Sequence, residues 1–279
     1  MESVEIHALQ SKSSLRVLHL FFETSLFDDL RLFGIKGDVA IYSTLDKLPF
    51  MPRQPRNCPA GSVYHIWNRA AGRLRLFKKE ADYVAFEKII VAAHALHPIP
   101  ILDWCLMPNH WHFVVYPNAD DQVTSFFRWL THTHAMRVNM HRAAVGTGPL
   151  YQGRFKSLPV QRDEHLATLL RYVQRNPVRA KLVDRASRWK HTGHIARQNP
   201  GPLADVLSPW PIKMPADWDE WVNKPQTQDE IDAIRLHIQR GRPFGSATWM
   251  KKTAGAMDLE FTMRPFGRPK SAKTPASKK

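Results

Sequence analysis

The chain has 279 residues, with 40 Lys and Arg against 25 Asp and Glu, a formal charge of +15 and a pI near 10.0. Such an excess of cations points to a polyanionic partner, nucleic acid before a membrane, because no apolar run is long enough to span a bilayer and no basic amphipathic helix stands out. The two cysteines, Cys58 and Cys105, exclude a disulfide framework and a Cys-type zinc finger and fit a reducing, cytoplasmic setting.

Taken in order, residues 1–50 mix apolar and charged residues without a clean period, and no signal-peptide pattern appears. They are expected to be a poorly ordered extension ahead of the basic stretch Met51-Pro-Arg-Gln-Pro-Arg56. Residues 62–68 alternate like a strand, with Val63, His65 and Trp67 on one side. Residues 80–96 have helical spacing and stop at His97-Pro98. Residues 99–106 and 110–116 read as a hairpin around the turn Met107-Pro-Asn109. A long helix is expected over 120–141, a fourth strand over 150–160, and a helix from the cap Asp163 to about Arg175, limited by Pro177. The order βαββαβα predicts an α+β fold, a ferredoxin-like sandwich with an antiparallel sheet and helices on one face.

Residues 191–228, rich in Pro and Trp, read as an extended connector. Two short helices separated by Gly241-Arg-Pro-Phe-Gly245 follow, so 229–262 forms a small α-helical C-terminal extension. It is assigned to DNA binding as a helix-turn-helix, with a hairpin packed on the main domain as the alternative. The basic tail 263–279 is expected to be disordered when free. Within it, Gly267-Arg-Pro-Lys270 has the shape of an AT-hook core, with Arg268 as the minor-groove residue.

Two places carry candidate chemistry. In His110-Trp-His112 the imidazoles share one strand face, which suits either a metal site or two ordinary strand histidines. On the helix after Asp163, Leu166, Leu169, Leu170 and Val173 form the packing stripe. Tyr172 flanks that stripe, and Asn176 follows at i+4 on the same side. A Tyr in that position is by default a packing residue. His65 is weighed as a general base but reads better as a strand histidine facing solvent or substrate.

Taken together, His110-Trp-His112 and Tyr172-Val-Gln-Arg-Asn-Pro-Val-Arg-Ala-Lys-Leu-Val183 resemble the single-tyrosine HUH transposases, above all the REP-associated tyrosine transposases. The segments Cys105-Leu-Met-Pro-Asn-His110 and Tyr151-Gln-Gly-Arg-Phe-Lys-Ser157 support the resemblance, which covers roughly residues 59–190. It implies a catalytic domain, usually dimeric, that cleaves and rejoins single-stranded hairpin DNA through a 5′-phosphotyrosine. Tyr172 would be the nucleophile, and His110, His112 and Asn176 would be ligands to Mg²⁺ or Mn²⁺. Trp111 is bulkier than the aliphatic residue often found between the two histidines. Among the basic residues, Arg154 and Lys156 on the fourth strand and Arg175 and Arg179 beside Asn176 are expected to meet DNA. A non-catalytic regulator that binds DNA hairpins is the rival reading.

Overall fold

Alternation of apolar residues builds the sheet. Residues 57–146 and 148–264 are described by the structure, a computed structural model; the extension 1–50, Arg268 and the tail beyond 264 lie outside the described residues. Strands β1 (Val63–Arg69), β2 (Ile101–Met107), β3 (His110–Val115) and β4 (Lys156–Val160) form one sheet in the order β2-β3-β1-β4. All neighbours are antiparallel. This is the expected ferredoxin-like arrangement. The fourth strand begins at Lys156, so Arg154 lies in the loop before it rather than on the strand.

Helices α1 (Glu80–Leu96) and α2 (Gln122–His141) pack together over one face of the sheet. Tyr64, Ile66, Trp104, Trp111 and Phe113 point to that face and meet Phe86, Ile90, Phe126 and Phe127. Full burial of each such side chain contributes roughly 1.5–3 kcal/mol. Trp111 is accommodated there without strain on its polar atom: its Nε1 donates to the Tyr151 hydroxyl at 3.1 Å, and that hydroxyl reaches His134 Nδ1 at 2.6 Å.

The opposite face is covered as well, which the strand and helix periodicities did not foretell. Helix α3 (Glu164–Gln174) packs its stripe of Leu166, Leu170 and Val173 against Val63, Cys105, Val114 and Leu158. A short helix, α4 (Asn176–Arg179), follows it. The segment read as an extended connector instead forms α5 (Gly193–Gln198), α6 (Pro202–Asp205) and α7 (Trp218–Asn223). It runs along the outer edge of β2, where Leu106 N donates to His191 O at 3.0 Å and Ser208 N to Ile101 O at 2.8 Å. Trp218 and Val222 of α7 then join the α3 core.

The last elements are α8 (Gln228–Arg240) and α9 (Ala247–Ala256). Ile234 of α8 is buried in the same core. Phe244, between the two helices, bonds along the outer edge of β4, donating to Pro159 O and accepting from Gln161 N, each at 2.9 Å. The packed hairpin therefore describes this segment better than a free-standing helix-turn-helix. Both sheet edges are covered by the chain's own C-terminal part, which removes open edges that could pair with another chain. All described residues fall in one compact unit starting at residue 56, without a boundary at 190 or 228.

Candidate active site

Strand alternation puts His110 and His112 on the α3 face of β3. The register pairs Arg69 with His110 and Trp67 with His112, so these β1 side chains share that face. Helix α3 runs over it and brings Tyr172 to the histidines: the His112 and Tyr172 rings lie 6.4 Å apart, edge to face. His110, His112, Tyr172 and Asn176 line one cleft of about 660 Å³. Helix and strand thus meet within a single chain.

The hydrogen bonds fix which atoms are left for a ligand. His110 Nδ1 contacts Asn109 Oδ1 at 2.6 Å. His112 Nδ1 contacts His65 Nε2 at 2.8 Å. Asn176 Nδ2 donates to Tyr172 O at 3.3 Å and Val173 O at 3.2 Å. Two imidazole Nε2 atoms and one amide Oδ1 remain, on three residues that share one cleft. Burial, with Arg69 and Arg179 nearby, lowers the His110 imidazole to about 4. Burial, then His110, His65 and the two arginines, holds His112 well below its ordinary value. Both rings are neutral at pH 7, the state a metal requires. Two neutral nitrogens and one amide oxygen make a weak, open donor set, which fits an exchangeable Mg²⁺ or Mn²⁺ better than structural Zn²⁺.

A second cluster of donor side chains, Asp163, Glu164 and His165, lies at the other end of α3. Asp163 Oδ1 is occupied there, accepting from His165 N at 2.9 Å and contacting His165 Nδ1 at 2.8 Å, a helix-capping role. A groove of about 810 Å³ between α1 and the α5–α6 region contains none of the expected site residues.

The basic residues divide. Arg154, Lys156 and Arg179 line the cleft. Arg179 lies over the Tyr172 ring at 3.9 Å and donates to Tyr172 O at 2.7 Å. Burial lowers its guanidinium to about 10, which leaves it charged at neutral pH. Arg175 does not line the cleft. It is buried, and its Nη1 donates to Val222 O at 2.8 Å and Asn223 O at 2.6 Å, the last carbonyls of α7. Its expected DNA contact is corrected to a structural one, because the α7 segment lies on that side of the helix. His65 is corrected too: it is fully buried behind His112 and faces neither solvent nor the cleft.

Sequence reasoning missed Arg69 and Arg235, which add two cations to the cleft. Arg69 was legible in principle, since β1 alternation carries the side of Trp67 on to it. Arg235 required the docking of α8. Among the described residues no Asp or Glu lines the cleft, so its field is positive and suits a phosphodiester backbone.

Residues 60–176 match a family model described as transposase IS200 like. Among solved structures the chain is similar to a REP-associated tyrosine transposase bound to a REP hairpin, with 21% identity and a TM-score of 0.44, covering 55% of this chain and 90% of that one. It is also similar to a candidate transposase from Deinococcus radiodurans, with 16% identity and a TM-score of 0.32, covering 44% of this chain and 96% of that one. No curated protein sequence matches it.

Proposed function

We propose that the chain, which matches the IS200-like transposase model over residues 60–176, cleaves and rejoins single-stranded DNA, with Tyr172 as nucleophile. The observation that carries the reading is the cleft itself: a phenol, two neutral imidazole nitrogens and an amide oxygen converge among cations contributed by β1, β4, α4 and α8. The substrate class that fits is a single strand carrying a hairpin, because a folded strand presents phosphates on several sides of a concave basic surface.

His110, His112 and Asn176 would hold Mg²⁺ or Mn²⁺, which supplies neutralisation of the phosphate and polarisation of phosphorus when bound. The Tyr172 oxygen attacks phosphorus and loses its proton. The bond to the 3′ oxygen breaks, and that oxygen leaves as a 3′-hydroxyl. A 5′-phosphotyrosine remains, so the bond energy is kept for rejoining. Arg179, held over the phenol ring, faces the cleft where a phosphate oxygen would sit. All the named groups come from one chain, so this step needs no residue from a second copy, whether or not the protein is a dimer.

The test is incubation of the full chain with a hairpin oligonucleotide and Mn²⁺ or Mg²⁺, read on a denaturing gel. A covalent protein–DNA band is expected, and it should vanish in Tyr172→Phe. Tight hairpin binding with no adduct under either metal would sink the reading and favour a DNA-binding regulator.

A further inference from the structure

Helix, strand and cleft account for His110, His112, Tyr172 and Asn176, but not for His65. Its side chain is fully buried on the α3 face of β1, stacked on Trp67 with ring centroids 5.0 Å apart. Its Nε2 meets His112 Nδ1 at 2.8 Å. Its other nitrogen, Nδ1, is buried with no hydrogen-bond partner among the described residues. A buried imidazole with one orphaned nitrogen carries a desolvation cost that an apolar side chain of similar size avoids. Among the described residues its polar contact is with His112.

We infer that His65 is a positioning residue: its Nε2 accepts the Nδ1–H of His112 and so holds that ring in the tautomer whose Nε2 lone pair is available to the cleft. A neutral imidazole carries one N–H. With the proton on Nδ1, His112 offers Nε2 as a ligand; with the proton on Nε2, that position is blocked. Asn109 does the same for His110, through an amide oxygen that accepts at 2.6 Å. Each histidine of the pair thus has its far nitrogen held by a neighbour, and the two holds differ chemically. One comes from the turn between β2 and β3, the other from β1. A partner on the far nitrogen also fixes the plane of the ring, which sets the direction of the ligating lone pair. The inference rests on the reading of His110, His112 and Asn176 as a cation site.

The experiment is Mn²⁺ titration of the full chain, following free Mn²⁺ by electron paramagnetic resonance, in the wild type, His65→Phe and His65→Gln. Loss of such a partner typically weakens metal binding by about 10–100-fold. That loss is expected in His65→Phe, and His65→Gln, whose amide oxygen can accept, should stay within a few-fold of the wild type. A purely structural role would lower the melting temperature and leave Mn²⁺ affinity unmoved, which overturns the inference. Should His65→Phe not fold, the ¹⁵N spectrum of the Mg²⁺-loaded wild type decides. A proton on His112 Nδ1 facing an unprotonated His65 Nε2 supports the inference, and a proton on His65 Nε2 overturns it. Wild-type protein that binds no Mn²⁺ sinks both this inference and the cation site; normal binding in folded His65→Phe sinks this inference alone.

Discussion

Tyr172, Arg175 and Arg179 lie within two turns of helix and meet different surroundings. Tyr172 and Arg179 line the cleft, ring against guanidinium, while Arg175 is turned into the carbonyls at the end of α7. Removing the two arginines should therefore differ in the rate per folded molecule. Arg179→Ala is expected to lower single-turnover cleavage by roughly 10²-fold at matched folded fraction, as for loss of a group stabilising transition-state charge, besides the about 2–4 kcal/mol that its hydrogen bonds to Tyr172 O and Gln226 Oε1 contribute to stability. Arg175→Met is expected to cost about 2–4 kcal/mol in urea unfolding, since two hydrogen bonds from a charged group are lost, while the rate per folded molecule is kept. Equal loss of cleavage in both, at matched folded fraction, would put Arg175 back at the DNA. The i to i+4 spacing of Tyr172 and Asn176 was readable from the chain because a helix has one period. The fate of Arg175 was not, since its partners Val222 and Asn223 are 47 and 48 residues away.

At the scale of elements, α3, the helix that carries Tyr172, is held from behind. Gln174 of α3 donates to the buried Asp103 of β2 and accepts from Trp218 Nε1 at 3.0 Å. Arg171 donates to Lys224 O at 2.6 Å. The start of α5 comes so close to β2 that only glycine fits at 193. A Cβ there would lie 2.5 Å from Asp103 Oδ1, 3.0 Å from Trp104 N and 3.1 Å from Asp103 Cα. Two of these atoms are backbone and cannot rotate aside. Gly193→Ala should cost roughly 1–3 kcal/mol, read as a lower urea midpoint; an unchanged midpoint would mean that α5 does not dock tightly on β2. This contact explains why 191–228 misled the sequence reading. Helices of four to six residues are too short to show a period and form through tertiary packing alone. The tryptophans that suggest a connector are here packing contacts: Trp210 Nε1 donates to Leu102 O of β2 at 2.9 Å, and Trp218 Nε1 donates to Gln174 of α3.

At the scale of the whole molecule, both cores hold a fully or nearly fully buried imidazole, and this makes the fold acid-sensitive. Burial lowers His65, on the α3 face, and His134, on the α1–α2 face, to about 3 each. In the unfolded chain both titrate near 6.5. Below about pH 6.5 the unfolded state therefore binds more protons than the folded one, and stability falls with falling pH until the folded values near 3 are reached. Each group contributes about 1.4 kcal/mol per pH unit in that window. Between pH 6.5 and 4.5 these two groups should together remove roughly 3–5 kcal/mol, with His110 and His112, also lowered by burial, adding to the loss and the raised Asp103 carboxyl offsetting part of it; urea unfolding at several pH values reads the slope, which should be shallower in His134→Gln. A flat profile over this range would show that neither imidazole is excluded from water.

The sequence by itself determined the strands and helices from β1 to α3, the shared face of His110 and His112, and the shared side of Tyr172 and Asn176. These follow from periods of two and of about 3.6 residues, which are local properties of the backbone. It also carried the positive charge, a sum that needs no structure. Tertiary structure alone decided that Tyr172 and the two histidines meet within one chain. It also turned the C-terminal third from connector and separate binding segment into the backing of α3 and the cover of both sheet edges. It placed Arg69 and Arg235 in the cleft, withdrew Arg175 from it, and set His65 behind His112. Each of these depends on pairing between residues distant along the chain, where hydrogen-bond register and side-chain packing decide the outcome and no local period records it.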